Sequence, residues 1–195
     1  MDHDMIRDRA TQFIQATAAA YDAQVTDAAS RQSTQRIFAD LDGPLPVQPQ
    51  APERRAACTW LDAITLPEGP LGDVLQTFRA LEPALTWIAR GGSRANAGPG
   101  FEDGHANAMI VGKTGLIPHQ NVSLGVSLIA PNIRYPDHNH PPEETYLVLT
   151  EGEFFHGDSD WFTPGIGGTF HNTPMIKHAM RAGDTPLFAV WALWA

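Results

Sequence analysis

The sequence predicts a mainly β protein, in which an antiparallel β-barrel follows an α-helical N-terminal extension. Three observations support this fold class. Apolar side chains recur every three or four positions in the first forty residues, five glycines fall within residues 91–104, and short apolar runs follow them. Runs rich in Val, Ile, Leu and aromatic residues, with turn residues but no helices between them, are typical of antiparallel sandwiches and barrels.

The helical extension is predicted from the spacing of its apolar residues. The first stripe consists of Ile6, Ala10, Phe13, Ile14, Ala18 and Tyr21. Such a stripe lies along one face of a helix. Residues 42–52 contain four prolines and predict a loop. A second helical region is predicted around 57–64, and another stretch at 71–81, which Pro83 ends or kinks.

The barrel is predicted from four apolar runs. These are NAMIVGKTG, VSLGVSLIAP, TYLVLTEGEFF and PLFAVWALW. We therefore divide the chain into a helical region with its glycine-rich connection, residues 1–104, and a β-barrel domain, residues 105–195. Both faces of the last run are apolar, so we expect its outer face to be covered by the N-terminal helices or by a second subunit. The pattern is thus compatible with a homodimer.

Composition narrows the classes of partner. The chain has 195 residues, 43% of them hydrophobic, and a formal net charge of -9. This charge disfavours nucleic acid and anionic membrane as partners. Cys58 is the single cysteine, which excludes an internal disulfide and a cysteine-based zinc site. No stretch of roughly 20 apolar residues predicts a membrane span, and we expect a cytoplasmic location.

The stretch HNHPPEETY, residues 138–146, concentrates the candidate functional residues. Alternate side chains of a strand point to the same face, so His138 and His140 share one face, and Glu144 and Tyr146 share one face. If the intervening proline corner preserves the facing, all four converge inside the barrel. Such a cluster is costly to bury unless it binds a cation or completes a hydrogen-bond network. We therefore predict a site for one divalent transition metal per chain.

A further metal ligand must come from elsewhere in the chain. His178, which precedes a strand-like run and follows Pro174, is the preferred candidate. His171 is the competitor, but its glycine, asparagine and proline neighbours predict an exposed turn. Imidazole and carboxylate ligands suit zinc, iron, manganese, cobalt or nickel, and the residues do not choose among these metals.

These residues resemble the two sequence motifs of the cupin family. The first motif, G-x5-H-x-H-x3,4-E-x6-G, is matched by His138, His140, Glu144 and Gly152. The second, G-x5-P-x-G-x2-H-x3-N, is matched by Pro174 and His178. The resemblance covers roughly residues 120–195 and implies a double-stranded β-helix barrel with the metal inside.

The match to the cupin motifs has three departures. Asn132 stands where the first motif opens with glycine, and seven residues rather than six separate Glu144 from Gly152. Residues 175–177 lack the glycine of the second motif, and Pro174 is one residue closer to the histidine. We expect a longer hairpin turn and a divergent second half of the barrel.

Tyr146 makes the resemblance more specific. Together with the helical N-terminal region and the ending LFAVWALW, the segment YPDHNHPPEETYLVLTEGEF is similar to the cupin-type dimethylsulfoniopropionate (DMSP) lyases, closest to the DddQ type. This resemblance implies a carbon–sulfur lyase that releases dimethylsulfide and acrylate by β-elimination. It implies that His140, Glu144, Tyr146 and His178 bind the metal, that Tyr146 is the catalytic base, and that His138 also lines the site.

The sulfonium group of such a substrate is a cation that has no hydrogen-bond donors. Aromatic faces attract such a cation, and Tyr135 and Trp191 are the predicted substrate-binding residues, with Trp194 as an alternative to Trp191. Two other functions remain open. The first is another cupin metalloenzyme, such as a dioxygenase or an isomerase, and the second is a non-catalytic cupin that binds a small molecule.

Overall fold

A computed structural model describes residues 1–195 and contains three α-helices and eight β-strands. The helices are α1 (His3–Gln24), α2 (Ala28–Asp40) and α3 (Pro70–Leu81). The strands are β1 (Trp87–Ile88), β2 (His105–Val111), β3 (Val122–Ile129), β4 (Glu143–Val148), β5 (Glu153–His156), β6 (Thr169–Asn172), β7 (His178–Arg181) and β8 (Leu187–Trp194).

Local sequence explains where the helices begin and end. The carboxylates of Asp2 and Asp27 each accept a hydrogen bond of 2.8 Å from a first-turn amide of α1 and α2. These caps satisfy amides that have no partner within the helix. The helix predicted at 71–81 is α3, which ends before Pro83. None of the helices has the length and apolar character needed to cross a membrane.

The region predicted around 57–64 is a 3₁₀ helix, Ala56–Ala63, rather than an α-helix. Its last carbonyls do not continue an α-helical ladder. Arg79 of α3 donates hydrogen bonds to the carbonyls of Leu61 and Ile64 at 2.7 and 2.6 Å. Arg79 therefore connects this short helix to α3, and the spacing of apolar residues in the short helix does not predict that contact.

The strands form the predicted antiparallel barrel. Six strands are ordered β1-β2-β3-β8-β4-β6, and β5 pairs with β7 in a second sheet. Strands β3 and β8 pair along their full length, from Val122 opposite Trp194 to Ile129 opposite Leu187. Strand β1 was not predicted. It precedes the glycine-rich segment and extends the edge of the larger sheet by pairing with β2.

The hydrophobic core continues from the helices onto the barrel. A cluster of 35 buried residues joins α1, α2 and α3 to the outer face of the larger sheet, whereas a separate cluster of 11 fills the barrel. Phe78 of α3 is the central contact, with ring centroids 5.7 Å from Phe13 and 5.2 Å from Phe188 of β8. The prediction that the outer face of the last strand is covered is confirmed, and the N-terminal helices cover it.

Two departures from the cupin motifs keep the backbone shape that glycine provides. Asn132 has a φ of 61°, in the left-handed region that asparagine tolerates better than most residues. Met175, three residues before His178, has a φ of 62°. The glycine of the second motif also stands three residues before its histidine, so methionine adopts the glycine conformation at this position. Its amide donates a 2.9 Å hydrogen bond to the carbonyl of His140.

We predict that Met175→Gly increases the free energy of unfolding by about 0.5–1 kcal/mol. A left-handed conformation costs an L-residue about 1–2 kcal/mol, and the greater entropy of glycine in the unfolded chain offsets part of the gain. Denaturant unfolding followed by circular dichroism measures the change. Met175→Ala is the matched control, because it retains the Cβ and the strained backbone. An equal increase in both variants would show that the strain is not the cause.

Candidate metal centre and substrate cavity

Three imidazoles meet inside the barrel. One ring nitrogen of each of His138, His140 and His178 lies within 4.8 Å of the others. The backbones of His138 and His178 exchange two hydrogen bonds, of 3.0 and 2.8 Å, and their ring centroids are 4.0 Å apart. This reciprocal pair fixes the start of β7 against the H-x-H segment. Two parts of the chain 40 positions apart thus contribute to one cluster.

Backbone carbonyls determine which nitrogen of each imidazole faces the centre. In all three rings Nδ1 lies at hydrogen-bond distance from a carbonyl oxygen. These bonds are His138 to Pro136 at 2.9 Å, His140 to Pro142 at 2.9 Å and His178 to Ile176 at 3.0 Å. A carbonyl only accepts, so Nδ1 carries a proton, and in the neutral ring Nε2 retains its lone pair. A second hydrogen bond of this kind typically orients a metal-binding histidine.

Glu144 is the buried acid of the cluster. Its Oε2 lies 3.1 Å from Nε2 of His178 and 3.5 Å from Nε2 of His140. Asn172, opposite Glu144 in the β4–β6 ladder, donates a 3.1 Å hydrogen bond to the same oxygen. The amide oxygen of Asn172 is in turn 2.7 Å from Nδ1 of the partly buried His156. The polar contacts from His156 through Asn172 therefore orient the carboxylate of Glu144.

The charge states of the cluster follow from burial and mutual contact. Burial opposes ionisation of Glu144, but the close approach of His140 and His178 outweighs it and holds the pKa of this carboxyl below its usual range. Burial, together with the neighbouring His178, lowers the pKa of His138 to about 3. Near neutral pH the cluster thus contains an ionised carboxylate and a neutral His138.

These residues fit a divalent transition metal. Nε2 of His178 is buried and has no hydrogen-bond partner, although Oε2 of Glu144 lies 3.1 Å away, because the two groups are not aligned for a hydrogen bond. Unshared imidazole lone pairs beside a carboxylate form the nitrogen and oxygen donor set that zinc and other first-row transition metals accept. His138, predicted to line the site, also offers a nitrogen to it.

Tyr146 lies on the same face of β4 as Glu144. Its ring is buried and stacks on Phe170, with centroids 5.2 Å apart and planes at 23°. Trp191 of β8 is its cross-strand partner. Burial, and after it the charge of Glu144, raise the pKa of Tyr146 well above its ordinary value. The phenol therefore ionises near neutral pH only if a positive charge stabilises it.

A cavity of about 320 Å³ opens onto the cluster. Its lining combines polar groups, among them His138, His140, Glu144 and Tyr146, with the apolar side chains of Met109, Met180, Trp191 and Leu193. A site of this size with an apolar wall and a few convergent polar groups is typical of small-molecule binding. Both predicted substrate-binding residues, Tyr135 and Trp191, line it.

Gly125 determines how Trp191 lies in the cavity. The two residues are opposite each other in the β3–β8 ladder. A Cβ on Gly125 would lie 2.2 Å from Cη2 of Trp191 and 2.5 Å from the carbonyl oxygen of Ala108. Only glycine therefore allows the indole to cover this part of β3. The indole nitrogen then donates a 3.1 Å hydrogen bond to Ser127.

The glycine-rich segment 91–104 supports one wall of the cavity. The Gly98 amide donates to the Arg134 carbonyl and the Asp137 amide donates to the Ala95 carbonyl, both at 3.0 Å. Arg134 and Asp137 also form an ion pair of 2.6 Å. These bonds fasten the segment to residues 134–137, which carry Tyr135 and lead directly into His138.

The prediction of an exposed turn around His171 is wrong. This residue lies in β6, and its side chain is 12% exposed. Its ring lies 3.2 Å from the hydroxyl of Thr145, the outward-facing neighbour of Glu144. The parity of β6 places Asn172, not His171, on the same face as Glu144. His171 therefore lies outside the three-imidazole cluster.

Comparison with known proteins agrees with this geometry. The family model described as dimethylsulfoniopropionate lyase matches residues 29–189. The chain belongs to this family. The DMSP lyase family supplies the activity class: the protein is a carbon–sulfur lyase, and its substrate is a small molecule. No curated protein sequence matches it significantly.

Solved structures of DMSP lyases share the fold. A structure from work on RdDddP and RnDddQII matches with a TM-score of 0.76 at 17% identity, covering 97% of this chain and 94% of its own. DddQ from Ruegeria pomeroyi DSS-3 matches with a TM-score of 0.72 at 21% identity, covering 95% and 92%. A cupin-2 domain from Rhodospirillum rubrum covers 58% of this chain at 15% identity and a TM-score of 0.45. The fold is the predicted cupin barrel with a helical N-terminal extension.

Sequence reasoning missed the residues that support the site. Asn172 contacts Glu144 through the pairing of β4 with β6, which no spacing in the sequence reveals. Asn107 and Ser127 interrupt apolar runs and face the same cavity. Both are polar residues at strand positions where alternation predicts a buried side chain, and this was the available signal.

We predict that His178→Asn lowers metal content well below one equivalent, because one of three convergent nitrogens is lost. Elemental analysis of metal-loaded, desalted protein measures this. His171→Asn is the matched control. His171 pairs with Thr145, the neighbour of Glu144, but lies outside the cluster, so we expect this variant to retain the metal. A normal metal content in His178→Asn would exclude His178 as a ligand.

We predict that Asn172→Leu weakens metal affinity roughly 10- to 100-fold, the usual effect of removing a group that orients a ligand. The variant leaves Oε2 of Glu144 without its amide donor. Competition with a chromophoric chelator measures the affinity. The same substitution at exposed Asn121 is the control and leaves the affinity unchanged. Equal affinities in the two variants would show that Asn172 does not act through Glu144.

Proposed function

We propose that this chain is a metal-dependent lyase that cleaves DMSP to dimethylsulfide and acrylate by β-elimination, with Tyr146 as the base. The observation that carries the proposal is the position of Tyr146. It shares a face with Glu144 beside the imidazole cluster and stands directly opposite Trp191 across the β4–β8 ladder. Cross-strand partners have Cβ atoms roughly 4.5–5.5 Å apart, so a base and an aromatic face meet within the length of a small substrate.

The substrate carries a carboxylate at one end and a dimethylsulfonium at the other. The base removes a proton from the carbon beside the carboxylate, and that electron pair forms the carbon–carbon double bond. The carbon–sulfur bond breaks, and its electron pair leaves with sulfur as neutral dimethylsulfide. The leaving group needs no proton, so deprotonation of a weakly acidic carbon is the difficult step.

His140, Glu144, Tyr146 and His178 are the proposed metal ligands, and the ring nitrogen of His138 lies close enough to contribute. A divalent metal bound there would polarise the substrate carboxylate as a Lewis acid and favour the phenolate form of the tyrosine. Zinc, iron, manganese, cobalt and nickel all suit this donor set.

The surroundings of Tyr146 fix its ring and shield its hydroxyl from bulk water. Phe170 and Phe154 pack on its ring, with centroids 5.2 and 5.5 Å away, and fix its orientation. Burial excludes bulk water, which would otherwise solvate and protonate the phenolate. His138 is the second proposed catalytic residue. Its neutral ring lines the cavity beside Glu144 and adds no positive charge that would oppose the sulfonium.

Trp191 is the proposed site for the sulfonium. A cation without hydrogen-bond donors is held by an aromatic face, with about 0.5–2 kcal/mol of attraction. The indole lines the cavity and is fixed by Gly125 and Ser127. Tyr135 is the other proposed substrate-binding residue, at the same cavity.

We predict that metal-loaded wild-type protein releases dimethylsulfide from DMSP and that Tyr146→Phe reduces kcat at least about 100-fold, because general-base catalysis typically contributes 10²–10⁴. Headspace gas chromatography measures the product. Metal content, determined in parallel, separates loss of the base from loss of the metal.

Two outcomes would reject parts of this proposal. Full activity of a metal-loaded Tyr146→Phe variant would exclude Tyr146 as the base. A wild-type protein that stays silent with zinc, iron, manganese, cobalt and nickel would exclude DMSP cleavage. Oxygen uptake, sugar isomerisation and ligand binding without turnover would then distinguish the other cupin functions.

A further inference from the structure

A directed chain of hydrogen bonds runs along the lining of the cavity. The indole nitrogen of Trp191 donates to the hydroxyl of Ser127 at 3.1 Å, and this hydroxyl donates to Oδ1 of Asn107 at 2.7 Å. Nδ2 of Asn107 then donates to the hydroxyl of Tyr135 at 2.9 Å. The chain crosses β8, β3 and β2 and ends beside the H-x-H motif. All four side chains line the cavity.

The chain leaves one proton without an acceptor in the protein. An indole N–H only donates, and the serine hydroxyl passes its single proton to Asn107. Asn107 therefore turns its amino group to Tyr135, whose oxygen accepts. The hydroxyl proton of Tyr135 has no protein partner, because the bond from Asn107 is the only hydrogen bond this hydroxyl makes. A donor in this state binds an acceptor supplied by a ligand.

The ring of Tyr135 is held by its neighbours, which leaves the hydroxyl as its contact with a ligand. The Arg90 guanidinium lies over the ring, 5.8 Å from the centroid. Phe101 and His105 meet it edge-on, with centroids 5.3 and 5.6 Å away. A cationic group already occupies this aromatic surface, so the sulfonium is better accommodated at Trp191.

We propose that Asn107 and Ser127 are positioning residues that direct the hydroxyl proton of Tyr135 into the cavity, where it binds the carboxylate of substrate and product. This inference rests on the proposed lyase function for the identity of the ligand. It adds two residues that do not contact the substrate's reacting atoms. They determine which hydrogen-bonding group of Tyr135's surroundings faces the carboxylate, namely the hydroxyl proton of Tyr135.

The same chain links the two ends of the proposed substrate. At one end it fixes the indole that faces the sulfonium, and at the other it fixes the hydroxyl that faces the carboxylate. Asn107 and Ser127 are cross-strand partners in the β2–β3 ladder, so their spacing is set by the sheet. The chain therefore favours a short ligand with a cation at one end and a carboxylate at the other.

A double-mutant cycle on acrylate binding tests the proposal. Metal-loaded wild type, Ser127→Ala, Tyr135→Phe and the double variant are titrated with acrylate and with neutral acrylamide by calorimetry. Hydrogen bonds to charged groups are roughly twice as strong as neutral ones. We expect each single variant to weaken acrylate binding roughly tenfold and acrylamide binding much less, and the double variant to be no weaker than Tyr135→Phe.

Two further variants separate positioning from damage to the fold. Ser127→Thr keeps the hydroxyl and restores acrylate binding. Ser33→Ala makes the same truncation at a buried serine of α2, far from the cavity, and leaves binding unchanged. In the lyase assay, Ser127→Ala raises KM for DMSP more than it lowers kcat, because the Tyr135 hydroxyl that Ser127 positions through Asn107 contacts the carboxylate of the bound substrate.

Additive effects in the double variant would overturn the proposal, because Ser127 would then act independently of Tyr135. Equal losses for acrylate and acrylamide would overturn it as well, and so would a wild-type protein that does not bind acrylate. Selective, non-additive loss of acrylate binding supports it even if no dimethylsulfide is released. In that case the proposed lyase reaction fails and the carboxylate site stands.

Discussion

A buried carboxylate that faces imidazole lone pairs is the constraint on which the site depends. Glu144 is 3% exposed, and ionised groups are rarely tolerated at such depth without compensation. The three imidazoles cannot turn both nitrogens toward it, because backbone carbonyls hold each Nδ1 proton. A negative charge and several lone pairs therefore converge on one point. This arrangement favours a cation at the centre.

The pairing of the strands fixes the side chains that surround this point. Pairing of β4 with β8 sets Tyr146 opposite Trp191, and pairing of β4 with β6 sets Asn172 behind Glu144. The reciprocal backbone bonds between His138 and His178 connect the second sheet to the same point. The helical extension contributes indirectly, since Phe78 packs on β8 and covers the outer face of the strand whose inner face carries Trp191. Tyr146, Glu144 and Trp191 are thus fixed by backbone pairing rather than by flexible loops.

The departures from the cupin motifs show that backbone conformation matters more than residue identity there. Asn132 and Met175 both adopt positive φ values where the motifs carry glycine. Gly152 is retained, and a Cβ at this position would lie 2.6 Å from the side chain of Leu187. A Cβ at position 152 would thus require Leu187 to shift, whereas positions 132 and 175 hold a side chain on a left-handed backbone.

The sequence by itself determined the barrel, the helical cover and most of the candidate site. The alternation of side chains along a strand placed Glu144 and Tyr146 on one face. The apolar character of both faces of β8 required a covering layer. Neighbouring residues in the chain encode both properties. Only the tertiary structure decided that His171 faces away from the cluster, that Asn172 supports Glu144, and that Asn107 and Ser127 join Trp191 to Tyr135. Each of these depends on the register between strands that are distant in the chain, and local sequence patterns do not specify that register.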